Sequence, residues 1–341
     1  MLSQTRNEEN MEIVKKDYRQ ISGFVDCSFE LTSLCNFKCI HCYNADNKRN
    51  DLTFDEISII LHRIKEFGVI ELLLTGGEIF LRPDISKIID LCYELGFRTT
   101  LYSNGSLITN DLAKKISTYN MNVEITIYGS CEDTYRKITG SKTNYQKAIG
   151  GLYLLRLHNA KVKTKSIILN QNYSDLKDIC ILMSKFNNET DVYSEISCFL
   201  FGDKEKMKKY RLDILKSKRI LEKYNHCRTN SSKYGFCTAL KNQFSIDNQG
   251  NINPCLGWRS VIVGNILEDD WKTKILKFAK HFRKELQNTS IKCNKCELFV
   301  YCIVCPMTFY QDTGYHFKYS EESCKFAKIR KEIYDSRTNH I

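Results

Sequence analysis

Three cysteines lie close together near the N-terminus of the sequence, at Cys35, Cys39 and Cys42. Their spacing, C-x3-C-x2-C, places three thiols on one short loop. Three thiolates can hold three corners of a 4Fe–4S cluster, because each iron takes one thiolate. The fourth iron would then be free to bind a small molecule. A zinc site with His41 as the fourth ligand is the alternative, but His41 adjoins Cys42, so joint chelation of one ion would be strained.

Two polar motifs follow the cysteine loop, each at the end of a predicted strand. Gly76-Gly77-Glu78 ends the second strand, Ser103-Asn104-Gly105 ends the third, and Thr126 lies near the end of the fourth. This edge of a βα barrel is where ligands bind. The glycines allow a close approach of backbone, and Glu78 could accept a hydrogen bond from a ligand amine. Gly-Gly-Glu alone is also compatible with an ordinary turn, but next to a three-cysteine loop it indicates a binding site.

The chain has 16 cysteines, and a second group of them lies in its C-terminal half. Seven are spaced so that they could hold one iron–sulfur cluster fully and a second in part, and a double zinc ribbon is the alternative. Since no secretory signal is visible, we expect metal or redox chemistry rather than a disulfide scaffold. The seven are Cys237, Cys255, Cys293, Cys296, Cys302, Cys305 and Cys324.

The elements that position these residues alternate between strand and helix. Thr53 and Glu56 predict a capping box at the start of the first helix, and further helices are predicted over about 84–95, 110–119, 145–158 and 174–186. Such alternation predicts right-handed βαβ units and a parallel sheet. Because six strands fall short of eight, the α/β fold is expected to be a partial (β/α)6 TIM-like barrel, followed by a small cysteine-rich domain. The strands are predicted at Val25–Leu31, Ile70–Thr75, Arg98–Ser103, Asn122–Tyr128, Val162–Leu169 and Val192–Phe199.

The alternation of strands and helices stops near residue 200. The charged segment Asp203–Lys223 that follows is predicted to connect two domains. We therefore predict an N-terminal extension, a barrel domain, a cysteine-rich domain and a tail, with bounds at 1–23, 24–215, 216–330 and 331–341. The net charge of +11 is uneven, because residues 201–341 carry 27 Lys and Arg against 15 Asp and Glu. No apolar run is long enough to span a bilayer and no nucleic-acid motif is present, so a cytoplasmic protein without membrane or nucleic-acid partners is expected.

The three-cysteine loop, Gly76-Gly77-Glu78 and Ser103-Asn104-Gly105, in this order, resemble radical S-adenosylmethionine (SAM) enzymes over about residues 24–200. The resemblance implies that the open iron binds the methionyl amine and carboxylate. It also implies a flavodoxin or ferredoxin-type reductant and reductive cleavage of SAM to a 5′-deoxyadenosyl radical, which removes a substrate hydrogen. By the same resemblance Gly76, Gly77 and Glu78 hold the amino group, Ser103, Asn104 and Thr126 lie toward the ribose, and the backbone around His41 lies toward the adenine.

The second cysteine group resembles the SPASM extension, which holds two auxiliary 4Fe–4S clusters, so that the whole chain would bind three. The resemblance assigns Cys237, Cys255 and Cys305 to the first auxiliary cluster, with Cys227 either completing it or remaining a free thiol. The second auxiliary cluster would be held by Cys293, Cys296, Cys302 and Cys324. The family usually has three residues in the last gap, whereas only Ile303 and Val304 separate Cys302 from Cys305.

SPASM enzymes mostly act on peptides or protein side chains, and we expect formation of a thioether or carbon–carbon crosslink in a ribosomally made peptide. Leu256 stands where sulfatase-maturing relatives carry Asp and where some epimerases carry a thiol, which makes both activities secondary alternatives. A tetrapyrrole side-chain enzyme and a non-catalytic iron–sulfur protein are others. The peptide's leader would be recognised by a separate protein or, if acidic, by the basic half. Weak catalytic candidates are Cys198 as a hydrogen donor and, among strand carboxylates that could equally form ion pairs, Glu30, Glu124 and Glu195.

Overall fold

The computed structural model describes residues 23–42, 51–141, 143–186, 191–193, 209–224 and 237–338. Its centre is a nine-stranded sheet with the spatial order β6-β5-β4-β3-β2-β1-β7-β8-β9. The strands are β1 Asp26–Thr32, β2 Glu71–Gly76, β3 Arg98–Ser103, β4 Asn122–Thr126, β5 Lys161–Ile167, β6 Asp191–Tyr193, β7 Gln243–Ile246, β8 Asn251–Asn253 and β9 Gly264–Asn265.

Strands β1 to β6 are parallel neighbours in chain order, and helices connect them. This is the predicted partial βα barrel, and β1 to β5 begin and end within two residues of the predicted bounds. The described helices are α1 Phe54–Glu66, α2 Ile85–Glu94, α3 Asn110–Thr118, α4 Glu132–Thr139, α5 Asn144–Leu157, α6 Leu176–Ser184, α7 Ile214–Tyr224, α8 Trp271–Asn294, α9 Pro306–Thr313 and α10 Glu321–Thr338.

Helix α1 shows why the sequence folds in this way. Its capping box is present, because the Thr53 side chain accepts from the Glu56 backbone N–H while the Glu56 carboxylate accepts from that of Thr53. Two backbone donors at the start of the helix are thereby satisfied. The apolar residues spaced three and four apart then form one buried face in the main core: Ile57, Ile60, Leu61 and Ile64.

Helix α4 lies between β4 and α5 and was not expected from the sequence. It begins after Cys131 without a side-chain cap and ends at Gly140, which has a φ of 81°. Its eight residues are mostly polar, yet Tyr135 and Ile138 are fully buried. A helix this short gains most of its stability from packing rather than from its own sequence pattern, which explains why the pattern did not reveal it.

The second half of the chain continues the same sheet. Strand β7 pairs in parallel with β1, on the side opposite β2, and β8 and β9 extend the sheet in antiparallel fashion. Helix α10 packs on α7 through Leu221, Phe326 and Ile333, and it runs through Thr338, into the segment predicted as a tail. Among the described residues, no helix combines the length and apolar character that crossing a bilayer requires.

Candidate active site

The three-cysteine loop leaves the carboxyl end of β1 and is fixed by backbone bonds to α4. The N–H groups of Lys38 and Ile40 donate to carbonyls at the end of that helix, both at 3.0 Å. Phe37 is buried and its ring packs edge-on against Tyr135 at 6.3 Å. The unexpected helix thus serves as the support of the loop.

The thiols of this loop are close enough to influence one another electrostatically. Burial raises the pKa of Cys35 to about 11, although the Phe37 N–H donates to its sulfur at 3.4 Å. Burial likewise raises the pKa of Cys39, and the neighbouring thiols of Cys42 and Cys35 raise it further. Thiols whose pKa is raised in this way require a cation to hold them as thiolates near neutral pH.

Gly76 and Gly77 bring the end of β2 against the start of the cysteine loop. The Gly77 N–H donates to the Thr32 carbonyl and the Glu78 N–H to that of Leu34, both at 2.8 Å. A Cβ on Gly77 would lie 2.0 Å from the Leu34 oxygen, and one on Gly76 would lie 2.3 Å from the Thr32 oxygen. The close approach that these glycines permit is therefore, in this structure, an approach of the chain's own backbone.

Glu78 joins the ends of β2 and β3. Its fully buried carboxylate accepts hydrogen bonds from the Ser103 hydroxyl and the Asn104 backbone N–H, both at 2.8 Å, and from the Phe80 N–H at 3.2 Å. Burial raises its pKa to about 7 in spite of these donors. A carboxylate offers about four acceptor positions, so one remains for the amine that the sequence predicts.

A ring of amide and hydroxyl bonds connects Ser103-Asn104-Gly105 to the cysteine loop. The Asn104 Nδ2 donates to Asn36 Oδ1 at 2.9 Å, and Asn36 Nδ2 donates to the Ser106 hydroxyl at 2.8 Å. That hydroxyl donates back to Asn104 Oδ1 at 2.6 Å. We call Cys35, Asn36, Glu78, Ser103, Asn104 and Ser106 the strand-end network.

Asn36 and Ser106 were not among the site residues predicted from the sequence. Each adjoins a predicted site residue, Cys35 in one case and the Ser103-Asn104-Gly105 motif in the other. That adjacency is the only signal the sequence offers, because the two partners are separated by 70 positions. Their pairing depends on how the ends of β1 and β3 meet.

His41 and Thr126 flank the network. His41 is buried with its ring 5.2 Å from that of Tyr128, and burial lowers its pKa to about 4, so the ring is neutral. Its Nδ1 has no hydrogen-bond partner in the structure. Thr126 is the last residue of β4, and its carbonyl accepts from the Tyr135 hydroxyl at 3.3 Å.

The inner face of the sheet is lined by charged residues. Lys165 on β5 lies 2.9 Å from a Glu124 carboxylate oxygen and 3.4 Å from the centre of the Tyr102 ring. Glu30 on β1 is buried and pairs with Arg259, which comes from the second half of the chain. Two of the three carboxylates considered as catalytic candidates, Glu30 and Glu124, are thus ion-paired. Glu195 and Cys198 lie outside the described residues.

In the second half, three of the predicted ligands come together. Burial raises the pKa of Cys237 to about 12, the Ala239 backbone N–H counteracts this shift, and the thiols of Cys305 and Cys255 raise it again. These three cysteines come from the segment before β7, the turn after β8 and the start of α9, and are 68 positions apart along the chain from first to last. Cys227 lies outside the described residues.

The remaining four cysteines form a separate group. Burial raises the pKa of Cys302 to about 12, and the nearby thiols of Cys324, Cys293 and Cys296 add to the shift while Arg330 lowers it. Among the described residues, no three His, Cys, Asp or Glu side chains converge on a single ion. A cubane requires no such convergence, because each thiolate binds a different iron.

The strand-end network fits a bound cluster and a small polar ligand. Three thiols of one loop lie together, a carboxylate at the edge of the sheet retains an acceptor position, and His41 Nδ1 is buried without a partner. Each is a group that a ligand would satisfy.

The chain is similar in sequence and in fold to several known proteins. Residues 29–183 match the radical SAM superfamily. The chain is 23% identical over 327 residues to the "AdoMet-dependent heme synthase" of Methanosarcina barkeri, covering 84% of this chain and 92% of that protein. It is 21% identical over 336 residues to the "antilisterial bacteriocin subtilosin biosynthesis protein AlbA" of Bacillus subtilis, covering 88% and 70%. The fold is similar to that of native anSMEcpe with bound AdoMet and Cp18Cys peptide, with a TM-score of 0.73, 16% identity and coverage of 93% and 100%.

Residues 29–183 therefore form a radical SAM domain. Domains of this superfamily bind a 4Fe–4S cluster and S-adenosylmethionine. Relatives of the chain include the subtilosin biosynthesis protein AlbA and a heme synthase.

Proposed function

We propose that this enzyme modifies a peptide, forming a thioether or carbon–carbon crosslink in a ribosomally made precursor. The observation that carries the proposal is the charged inner face of the sheet, where Glu124 pairs with Lys165 and Glu30 with Arg259. A face of this kind complements the amide groups and charged side chains of a peptide. A planar macrocycle would favour a largely apolar slot. The relationship to AlbA supports the same substrate class.

In this proposal the strand-end network holds the cofactors. Cys35, Cys39 and Cys42 bind the cluster that S-adenosylmethionine meets, and Glu78 accepts a hydrogen bond from the methionyl amine. Ser103, Asn104 and Thr126 face the ribose, and the backbone at His41 faces the adenine. When bound, the cluster supplies one electron for the reductive cleavage of S-adenosylmethionine, which starts hydrogen-atom abstraction from the substrate.

The chain's own residues fix the geometry and exclude water. Glu78 cannot turn away from the ligand position, because three donors from two strand ends hold its carboxylate. The Asn104–Asn36–Ser106 ring holds the cysteine loop against β3. Positioning of this kind lowers the activation barrier of the reaction, because the entropy of orientation is lost on binding rather than in the chemical step.

We further propose that the second half, residues 216–330, is a SPASM domain with two auxiliary clusters. The three cysteines grouped around Cys237 would hold the first, with Cys227 as a fourth ligand or an open position, and the four grouped around Cys302 the second. A flavodoxin or ferredoxin-type protein would supply electrons, and a separate protein or the basic half would recognise the leader.

A tetrapyrrole is the second candidate substrate. It is favoured by the similarity to a heme synthase over 92% of that protein's length. Lys165 and Arg259 would then be available for the carboxylates of tetrapyrrole side chains, at the cost of their pairs with Glu124 and Glu30.

The test begins with iron and acid-labile sulfide per chain after anaerobic reconstitution. About 12 irons are expected for three clusters, whereas about 4 would contradict the SPASM assignment. The reconstituted enzyme is then incubated with S-adenosylmethionine, dithionite and either a synthetic precursor peptide encoded beside its gene or an iron coproporphyrin. The peptide is expected to lose two hydrogen atoms per crosslink. Decarboxylation of the porphyrin instead would replace the proposal by the second candidate.

The matched control is the Cys35→Ala, Cys39→Ala, Cys42→Ala triple variant. It is expected to retain about 8 irons while cleaving no S-adenosylmethionine. Cleavage that persists in this variant would show that another site performs it.

A further inference from the structure

Trp258 is buried three positions after Cys255, one of the proposed cluster ligands. It is 3% exposed, and its backbone N–H donates to the Cys255 carbonyl at 2.9 Å, which closes a tight turn after that cysteine. The indole Nε1 has no hydrogen-bond partner among the described residues. An indole nitrogen is a donor only, so this buried N–H requires an acceptor.

The indole belongs to a set of rings that connects two cysteine segments. The His316 ring lies 4.2 Å from that of Trp258 at an angle of 35°, and the Tyr310 ring is stacked on His316, also at 4.2 Å. Tyr310 lies on α9, the helix that begins directly after Cys305. We call Trp258, His316 and Tyr310 the aromatic stack. It runs from the turn at Cys255 to the helix at Cys305.

The neighbouring rings do not supply the acceptor. His316 lies over the face of the indole, whereas the indole N–H points outward in the ring plane. Phe282, at 5.4 Å, is approached at an angle of 68° and has no polar atom. Leaving a donor buried without a partner costs about 1–3 kcal/mol, so an acceptor supplied at this position by a bound group would stabilise the folded protein.

The proposed ligand Cys255, to which the Trp258 backbone is hydrogen-bonded, offers a sulfur acceptor. Cys255 and Cys305 are both close to Cys237, and the Ala239 backbone N–H already donates to the Cys237 sulfur. Thiolates and bridging sulfides of an iron–sulfur cluster accept hydrogen bonds, and these bonds raise the reduction potential because they stabilise the more negative, reduced state.

We propose that the Trp258 N–H donates a hydrogen bond to sulfur of the auxiliary cluster held by Cys237, Cys255 and Cys305, and thereby raises the reduction potential of that cluster. This inference rests on the proposed auxiliary clusters. Trp258 is a positioning and tuning residue and is not a ligand.

The first test is a redox titration of the reconstituted Trp258→Phe variant, followed by electron paramagnetic resonance. One auxiliary cluster is expected to show a lower midpoint potential than in the wild-type enzyme and to lose one exchangeable proton coupling, while the coupling to the Ala239 N–H remains. Trp271→Phe is the matched control, because Trp271 is equally buried and packs on Phe67 at 4.8 Å. The control is expected to keep all potentials and couplings of the wild-type enzyme.

The second test does not depend on the folding of Trp258→Phe. In the Trp271→Phe variant Trp258 is the only tryptophan, so an indole 15N label reports on it alone. A 15N hyperfine coupling to the reduced auxiliary cluster is expected. If this coupling is absent in an enzyme with all clusters bound, the inference about Trp258 is overturned while the auxiliary clusters stand. Unchanged midpoint potentials in a Trp258→Phe variant with all clusters bound would have the same meaning. About 4 irons per wild-type chain would overturn the auxiliary clusters and this inference together.

Discussion

The two cysteine regions of this enzyme are held together by different means. In the first, a network of side-chain and backbone hydrogen bonds joins the ends of β1, β2 and β3 around the loop that begins at Cys35. In the second, the cysteines lie on separate turns and helix ends, and backbone hydrogen bonds within the segment from Cys293 to Cys305 join residues three positions apart. Aromatic packing, exemplified by Trp258 on His316, fills the space between segments.

This difference in how the two regions are held together follows from how completely each proposed cluster is ligated by the protein. A cluster that leaves one iron open for a ligand cannot rely on four protein ligands for its position, so the surrounding protein must fix it. A cluster that is more completely ligated organises the chain around itself, because metal binding contributes folding free energy directly. The first region is therefore built before the metal arrives, and the second is expected to be completed by it.

Removal of iron gives the largest expected effect and would separate the two regions most clearly. In chelator-treated enzyme, amide hydrogen exchange in residues 293–324 is expected to accelerate by about 100-fold or more, since bound metal supplies much of the folding free energy there. Exchange in β1 to β4 is expected to change little. An equal acceleration in both regions would contradict the comparison.

Gly77→Ala tests whether the first region depends on close backbone packing. The new Cβ would lie 2.0 Å from the Leu34 oxygen, so the cysteine loop must move. We expect a loss of about 2–4 kcal/mol in unfolding free energy and loss of S-adenosylmethionine binding, measured by denaturant unfolding and calorimetry.

Gly150→Ala is the control for that variant. Gly150 lies inside α5 and a Cβ there would meet nothing within 4 Å. The change is expected to stabilise the enzyme by about 0.5–1 kcal/mol and to leave binding unchanged. Equal changes of unfolding free energy and of S-adenosylmethionine binding in the two variants would contradict a dependence of the first region on close backbone packing.

The pH dependence of stability tests the burial of Glu78. Its pKa is raised from about 4.5 to about 7, so between these values the unfolded chain loses a proton that the folded chain keeps. The contribution of the protonated Glu78 carboxyl to the free energy of unfolding is fully present below about pH 4.5. It is lost as the pH rises to about 7, and the loss amounts to up to about 3 kcal/mol. In urea unfolding of the metal-free enzyme, this contribution should appear as the difference between wild type and Glu78→Gln, because the buried His41, whose pKa is lowered to about 4, contributes a slope of the opposite sign in both.

Glu78→Gln should remove this contribution, since no carboxyl then titrates at this position, so the difference in stability between wild type and variant should fall as the pH rises. Glu268→Gln should leave this fall unchanged, because that carboxyl is exposed and hydrogen bonds lower its pKa rather than raise it. A difference between wild type and Glu78→Gln that rises with pH would mean that Glu78 is ionised in the folded enzyme.

The smallest expected effect concerns a junction between the two halves. Asp51 accepts from the Thr32 hydroxyl at 2.5 Å and from Asn248 Nδ2 at 2.9 Å, and so links the end of β1 to the turn between β7 and β8. A double-mutant cycle of Asp51→Ala and Asn248→Ala is expected to give a coupling of about 0.5–1.5 kcal/mol in unfolding free energy. Strict additivity would show that the halves are not linked through this contact.

The sequence predicted best where the signal was local. The capping box at Thr53 and Glu56 and the strand at Arg98–Ser103 were both confirmed, because each depends on residues only a few positions apart. Helix α4 was missed because its buried face, centred on Tyr135, comes from tertiary packing. The glycines of Gly76-Gly77 were recognised as important, but the backbone that they admit was identified only in the structure.

By itself the sequence determined the order of strands and helices, the loop with its three cysteines, and the polar motifs at the strand ends, because backbone propensities and residue types act over short distances. Only the tertiary structure decided that Asn36 meets Ser106, that β7 pairs with β1, and that the indole of Trp258 is buried without an acceptor. These contacts join residues that are far apart in the chain. They depend on the packing of whole elements, and no pattern within a single segment specifies them.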